Sequence, residues 1–245
     1  MDRLGKLVEG IKNARHLVVL TGAGVSNESG IPTFRGEDGL WKQYRAEELA
    51  TPQAFRRNPQ LVWEWYNYRR RIIRSAEPNP AHYTIAWFEG VLDKVTVITQ
   101  NVDGLHKRAG SSRVVELHGN IFENYCFQCG KAFGDIKSDR VPVCDVCGGF
   151  VRPGVVWFGE SLPTFALEEA DSAISDADAV LVVGTSLLVA PASFYPFLAL
   201  RDGKWVGEIN LEPTQLTPIA SVSIQGKAGE VLGTVRDVWE GHCVS

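Results

Sequence analysis

The stretch His16-Leu-Val-Val-Leu-Thr-Gly-Ala-Gly-Val-Ser26 is the part of the chain from which the architecture can be read. His16–Leu20 is a short, mostly branched apolar run, the composition of a strand covered on both faces. It leads directly into Gly22-Ala23-Gly24. A strand, a Gly-x-Gly turn and then a helix is how dinucleotide-binding sheets hold a pyrophosphate. The glycines admit the backbone to the ligand, and the amides at the helix start face the anion. The pattern is incomplete, because Asn27 stands where the third glycine of the usual fingerprint falls. By itself the stretch reads equally as a nucleotide loop or as a plain tight turn. The polar continuation Ser29-Gly-Ile-Pro-Thr-Phe-Arg-Gly36 is of a kind that folds over a bound ligand as a lid.

Further runs of the same type follow at Val95–Thr99, Ala179–Val183, Trp205–Ile209 and Val222–Ile224, interleaved with helical patterns such as Arg3–Asn13 and Phe165–Ser175. This alternation predicts an α/β fold built on a Rossmann-like, mostly parallel sheet. Ligands in such sheets bind at the carboxyl ends of the strands. Two segments interrupt the alternation: an aromatic-rich helical stretch holding Trp63, Trp65, Tyr66 and Tyr68, and a cysteine-bearing stretch with a Cys-Gly-Gly turn. The expected division is a Rossmann-like domain from residues 1–35, 91–122 and 152–245, a helical insert with the cofactor loop at 36–90, and a zinc-binding module at 123–151.

The bulk properties narrow the class. The chain has 245 residues, 44% hydrophobic and 22% charged, with a net charge of −4. These are ordinary values for a soluble globular protein, and an acidic balance argues against direct binding of nucleic acid. No apolar run approaches the roughly 18 residues of a membrane span. The N-terminus, MDRLGKLVEGIKNARH, reads as an amphipathic helix and lacks the apolar core and cleavage site of a signal peptide. A cytoplasmic, monomeric protein without membrane contact is expected.

Cys126-x2-Cys129 and Cys144-x2-Cys147 are separated by 14 residues. Without a secretion signal, metal ligation is favoured over disulfides. Four thiolates from two knuckles make the closed tetrahedral set of structural zinc; the other reading is a pair of redox-active thiols. A full set of four ligands leaves no open position for water, so such a zinc is not catalytic. Cys243, near the C-terminus, has no assigned role.

The residues after each strand carry the candidate chemistry. Val95–Thr99 ends in Gln100-Asn101-Val102-Asp103, polar groups able to hold a ribose and an amide or to cap a helix. Val114-Val-Glu-Leu117 ends in His118-Gly119, a position suited to a general base or to a structural histidine. His82 and His106 read as helical residues without clustered partners. Tyr66 and Arg69, three apart, share a helix face. They read either as a carboxylate clamp or as a core aromatic beside a solvated arginine.

Together these pieces resemble the sirtuin family. Thr21–Ser26, Gly30–Arg35, Thr99–Asp103, His118-Gly119, the two cysteine pairs, Pro153-Gly-Val-Val-Trp-Phe-Gly-Glu160, Gly184-Thr-Ser186 and Ile209-Asn210 occur in the family's order over nearly the whole chain. The resemblance implies an NAD-dependent protein-lysine deacylase that releases nicotinamide and O-acyl-ADP-ribose. It implies that Gly22, Ala23, Gly24 and Ser26 approach NAD, that Phe34 and Arg35 cover the nicotinamide side, and that Gln100, Asn101 and Asp103 hold the nicotinamide ribose end. Gly184, Thr185, Ser186, Asn210 and Ala228 take the adenosine side, and His118 is the base, with Asn101 also catalytic. Val155, Val156, Phe158 and Gly159 pair with an acylated-lysine peptide as a strand. Ala50 with Tyr66 and Arg69 resembles the branch that removes succinyl and malonyl groups, with acetyl removal alongside. Asn120 departs from the family's usual Asp or Ser and is expected to affect a turn. A mono-ADP-ribosyltransferase using the same pocket is the alternative.

Overall fold

The computed structural model describes residues 2–32 and 46–241, so the expected roles of Phe34 and Arg35 lie outside the described residues, as does Cys243. The elements run α1 (Arg3–Lys12), β1 (His16–Thr21), α2 (Gly24–Asn27), α3 (Ala46–Leu49), α4 (Pro52–Arg57), α5 (Pro59–Ser75), α6 (Pro80–Phe88), β2 (Lys94–Thr99), α7 (Leu105–Arg108), β3 (Val114–Glu116), β4 (Gly119–Cys126), β5 (Ala132–Phe133), β6 (Val151–Val155), α8 (Thr164–Asp176), β7 (Ala179–Val183), α9 (Tyr195–Arg201), β8 (Trp205–Asn210), β9 (Val222–Gln225) and α10 (Ala228–Trp239). Six strands form one sheet in the order β3-β2-β1-β7-β8-β9, every pair parallel. The order reverses between β1 and β7, the switch point at which a crevice opens beyond the strand ends.

Alternation along the strands divides the core. Leu17 and Val19 of β1, with Val95, Val97, Leu181 and Val183, pack under α1, α6 and α10 through Leu7, Ile11, Ile85, Phe88, Leu232 and Val235. Val18 and Leu20, with Ile98, Val180 and Val182, face Ala166, Ala170 and Ile174 of α8 and Tyr195 and Ala199 of α9. Each fully enclosed aliphatic side chain contributes about 1.5–3 kcal/mol of transfer free energy. Continuous apolar strands are therefore what a sheet covered on both sides requires. No helix among the described residues is long and apolar enough to cross a membrane.

Three helices of the 36–90 segment begin alike. Thr51-Pro52, Asn58-Pro59 and Asn79-Pro80 place a side-chain acceptor at the cap and proline at the first helical position. These helices then separate. The apolar side chains of α6 enter the sheet core. Phe55 of α4 and Val62, Trp65 and Tyr66 of α5 pack instead with Ile121, Val155 and Trp157 in a second core outside the sheet.

β4, β5 and β6 form a small antiparallel sheet carrying the cysteines. The ligand sulfurs of Cys126, Cys129, Cys144 and Cys147 all lie within 4.8 Å of one another. Cys126 and Cys147 are 3.4 Å apart, and Cys129 and Cys144 3.7 Å. A tetrahedron with Zn–S bonds of about 2.3 Å has S···S edges of about 3.8 Å, so the set fits zinc. Backbone N–H groups of Gln128, Cys129 and Val146 point at Cys126 and Cys144 sulfurs, as suits thiolate ligands.

α5 is tied to this module along a single stripe. Gln60 donates to the Asp139 carbonyl and accepts from Val141 N–H; Trp63 Nε1 and Asn67 Nδ2 both donate to the Ser138 carbonyl at 2.7 Å. Fully buried Arg70 donates to the Ile121 carbonyl and to Asn124 Oδ1, and Arg74 pairs with Asp135. Residues 60, 63, 67, 70 and 74 follow the three-and-four spacing of one helix face. The expected metal content is one zinc per chain. Stripping it with a strong chelator is expected to lower Tm by at least about 5 °C, because the binding free energy of a structural zinc is folding free energy. An unchanged melt after complete zinc removal would contradict this role.

Candidate functional site

Beyond the carboxyl ends of β1, β2 and β7 lies a cavity of about 720 Å³, within the size range of small-molecule sites. Its floor is Gly22, Ala23, Gly24, Gln100 and Asn101, with Gly184, Thr185 and Ser186 alongside. His118 stands at one side. Ala50, Tyr66 and Arg69 also line it, and residues Val155 to Leu162 form its rim.

The glycines of the first loop are required by the protein itself. A Cβ on Gly24 would come within 2.7 Å of the Gly184 carbonyl oxygen, and one on Gly22 within 2.7 Å of Thr185 Cβ. Gly24 N–H donates to that Gly184 carbonyl at 2.8 Å. The amide at the start of α2, read from the sequence as an anion donor, is therefore taken by the end of β7. The loop presents the cavity with backbone rather than side chains, which is what close approach of a phosphate needs.

Hydrogen-bond polarity orients Asn101. Ser26 Oγ donates its one proton to Asp103 Oδ2 at 2.8 Å, so it accepts from Asn101 Nδ2 at 3.0 Å. The same Nδ2 donates to the Gly22 carbonyl. With both amide protons placed in the loop, Asn101 Oδ1 is the group left for the cavity. Asp103 also accepts from Leu105 N–H at the start of α7; burial pushes its pKa upward, and these hydrogen bonds oppose the shift. Gln100 Nε2 donates to Thr185 Oγ1 at 3.0 Å, linking the ends of β2 and β7.

His118 is half-buried between β3 and β4. Its Nδ1 lies 2.9 Å from the Gln100 carbonyl. A carbonyl only accepts, so Nδ1 carries the proton and Nε2 keeps the lone pair of a base. Burial lowers the pKa below 6.5, opposed by the Gln100 carbonyl. Gly119 follows with φ +76°, and a Cβ there would meet the Gly154 carbonyl at 2.1 Å. Only glycine lets the chain turn from His118 into β4. Asn120 bonds Glu116 and Phe122 N–H, a local turn role.

One sequence reading changes. His82 and His106 do have clustered partners: their rings are 4.8 Å apart, His82 Nε2 faces Ser26 Oγ at 3.5 Å, and His106 Nε2 bonds Thr21 Oγ1 at 2.9 Å. Packing of α6 and α7 against the end of β1 brings them together, a contact that separation along the chain conceals. Burial keeps both neutral, holding His82 at about 4. Ser26 and Asp103 are buried behind the cavity wall, where they brace Asn101.

Asn210 ends β8 beside Gly184, whose N–H donates to the Ile209 carbonyl at 2.9 Å, and neither Asn210 nor Ala228 is among the residues lining the cavity. Asn210 Nδ2 donates to the Glu212 carbonyl, and Ala228 is buried at the start of α10. The sequence reading passed over buried Glu208, which binds the hydroxyls of Thr214, Thr217 and Ser223 and so shapes the loop after β8. It also passed over Leu162, Leu167 and Val189–Pro191, which line the cavity. Only their apolar character marked them.

The comparisons with known proteins bear on this geometry. A profile described as the Sir2 family matches residues 22–191, more than half of the chain. An NAD-dependent protein deacylase of Thermococcus kodakarensis is 53% identical over 238 residues, covering 94% of this chain and 93% of its own. NAD-dependent protein deacylase 1 of Caldanaerobacter subterraneus is 55% identical over 229 residues, covering 91% of this chain and 94% of its own. The crystal structure of a Sir2 homologue in complex with NAD matches with a TM-score of 0.91 at 49% identity, covering 98% of this chain and 95% of that one. A Sir2 complex with a deacetylated peptide and 3′-O-acetyl-ADP-ribose matches with a TM-score of 0.83 at 36% identity, covering 99% of each chain. By the extent of the profile match and the identity of these relatives, the chain belongs to the Sir2 family.

Proposed function

We propose that this chain is an NAD-dependent protein-lysine deacylase acting on acetyl-lysine and on the acidic succinyl and malonyl derivatives. The observation that carries the reading is the meeting of a neutral, outward-facing imidazole and an oriented asparagine in one cavity beside a glycine loop. NAD, when bound, supplies a ribose carbon from which nicotinamide can depart and to which an acyl oxygen can bond.

The chain's own groups account for the rest. Gly22, Ala23 and Gly24 bring backbone to the phosphates, and Gly184, Thr185 and Ser186, with Asn210 and Ala228, take the adenosine side. Asn101 Oδ1, braced by Ser26 and Asp103, orients the nicotinamide ribose end, and Gln100 reaches the ribose. His118 Nε2 accepts a proton from a ribose hydroxyl. A positioned base of this kind contributes about 10²–10⁴-fold. Val155, Val156, Phe158 and Gly159 receive the substrate peptide by backbone pairing, a mode that tolerates many sequences. Phe158 and Gly159 are exposed, as a peptide-facing edge must be.

The acyl preference is supported by Tyr66, Arg69 and Ala50 lining the same cavity as His118. The Arg69 guanidinium lies over the Trp65 ring at 5.0 Å and the Tyr66 ring at 5.9 Å. A planar cation backed by aromatic faces suits a carboxylate. Buried, small Ala50 leaves length for a longer acyl chain.

A panel of acetyl-, malonyl- and succinyl-lysine peptides, with and without NAD and read by mass, tests the activity. O-acyl-ADP-ribose together with free lysine is the expected outcome; ADP-ribose attached to the protein substrate would point to transferase chemistry. His118→Ala is expected to lower kcat by about 10²–10⁴-fold with NAD binding retained. Because His118 acts in its neutral form and burial lowers its pKa, activity should hold at pH 7 and decline on acidification, with the midpoint of that limb below 6.5. Arg69→Met is expected to lower kcat/KM for succinyl peptide by about 10- to 100-fold more than for acetyl peptide, the range of a lost charged hydrogen bond. Equal loss on both would end the acyl assignment.

A further inference from the structure

Trp157 is buried, and its indole Nε1 lies 2.9 Å from the Tyr66 hydroxyl oxygen. An indole N–H can only donate, so the polarity of this bond is unambiguous: Tyr66 accepts. Its own O–H then remains to be donated elsewhere. Tyr66 is 1% exposed and is one of the residues that line the cavity. Burial holds its pKa at about 12, so the hydroxyl keeps its proton at neutral pH. An acetyl methyl has no acceptor for that O–H, whereas a carboxylate does.

The indole is itself locked in place. The Arg152 guanidinium stacks on its face at 3.4 Å, and Phe55 lies 5.3 Å away. Arg152 pairs with Glu160 through both terminal nitrogens, and Glu160 Oε2 also accepts the Trp157 backbone N–H. Contacts thus run from the ion pair of buried Arg152 with half-buried Glu160, through the indole, to the hydroxyl at the cavity wall.

We propose that Trp157 is a specificity-determining positioning residue: its indole N–H commits the Tyr66 hydroxyl to donate toward the carboxylate of an acidic acyl chain, raising selectivity for succinyl- and malonyl-lysine over acetyl-lysine. The proposal rests on the acyl preference inferred above. It differs from a packing role, since it requires the indole hydrogen and the tyrosine oxygen together.

The test is the ratio of kcat/KM for succinyl to acetyl peptide in the wild type, Trp157→Phe, Tyr66→Phe and the double variant. Trp157→Phe is expected to lower the ratio by about 3- to 10-fold, the range of one neutral hydrogen bond. The same substitution should have no further effect in the Tyr66→Phe background. Should Trp157→Phe fail to fold, benzothienylalanine at position 157 replaces only the N–H by sulfur and is expected to give the same fall. An unchanged ratio at position 157, or an equal fall with and without the Tyr66 hydroxyl, overturns the proposal while leaving the acyl preference standing. If Tyr66→Phe and Arg69→Met both leave the ratio unchanged, the acyl preference itself fails and the proposal falls with it.

Discussion

One side of α5 faces the cysteine module and the adjoining side faces the cavity, and this division of a single helix organises the second half of the site. Gln60, Trp63, Asn67, Arg70 and Arg74 are bonded to backbone and side chains of the module. Tyr66 and Arg69, between them in sequence, line the cavity. Arg70 makes the constraint stringent: it is fully buried, and its bonds go to the Ile121 carbonyl and to Asn124 and Asn67 side chains. A buried guanidinium that loses such partners costs several kcal/mol. The helix therefore cannot shift along the module without leaving a charge unsatisfied.

This gives the four cysteines a function at a distance. A closed sulfur set offers a substrate nothing, but it rigidifies β4 and β6 and the loop at Ser138 on which α5 hangs. β4 begins at Gly119, directly after His118, and β6 ends at Val155, at the start of the rim. Gly119 and Val155 are register partners. His118, the rim and the Tyr66–Arg69 wall are thus attached to one small antiparallel sheet, whereas the glycine loop, Gln100 and Asn101 belong to the parallel sheet. The cavity is lined from both sheets.

Within the parallel sheet the polar groups form a braced layer rather than a row of independent contacts. Asp103 orients Ser26, Ser26 orients Asn101, and Asn101 closes on the Gly22 carbonyl. His82 approaches from behind and is kept neutral by burial. Buried polar groups are costly unless fully bonded, so a satisfied network of this kind permits a single arrangement. Preorganised groups of this sort stabilise developing charge without reorganising at the moment of reaction.

The sequence alone determined the alternation of apolar strands and helices, hence the α/β class, because a strand buried on both faces must be apolar along its length. It determined the zinc set, because two Cys-x2-Cys knuckles have one common geometry, and the polar strand ends at Gln100–Asp103 and His118, because such sheets bind at that edge. Other features only the tertiary structure decided. Gly22 and Gly24 were legible as a turn, but not that β7 excludes their side chains and takes the Gly24 amide. His82 and His106 are 24 residues apart in the chain, and their rings meet because two helices converge on the end of β1. Trp157 stands in the Pro153–Glu160 stretch with no role of its own until its indole is seen to donate to Tyr66. Local pattern records which face a residue must bury; which partner it meets there depends on how separate elements pack, and no spacing along one chain encodes that contact.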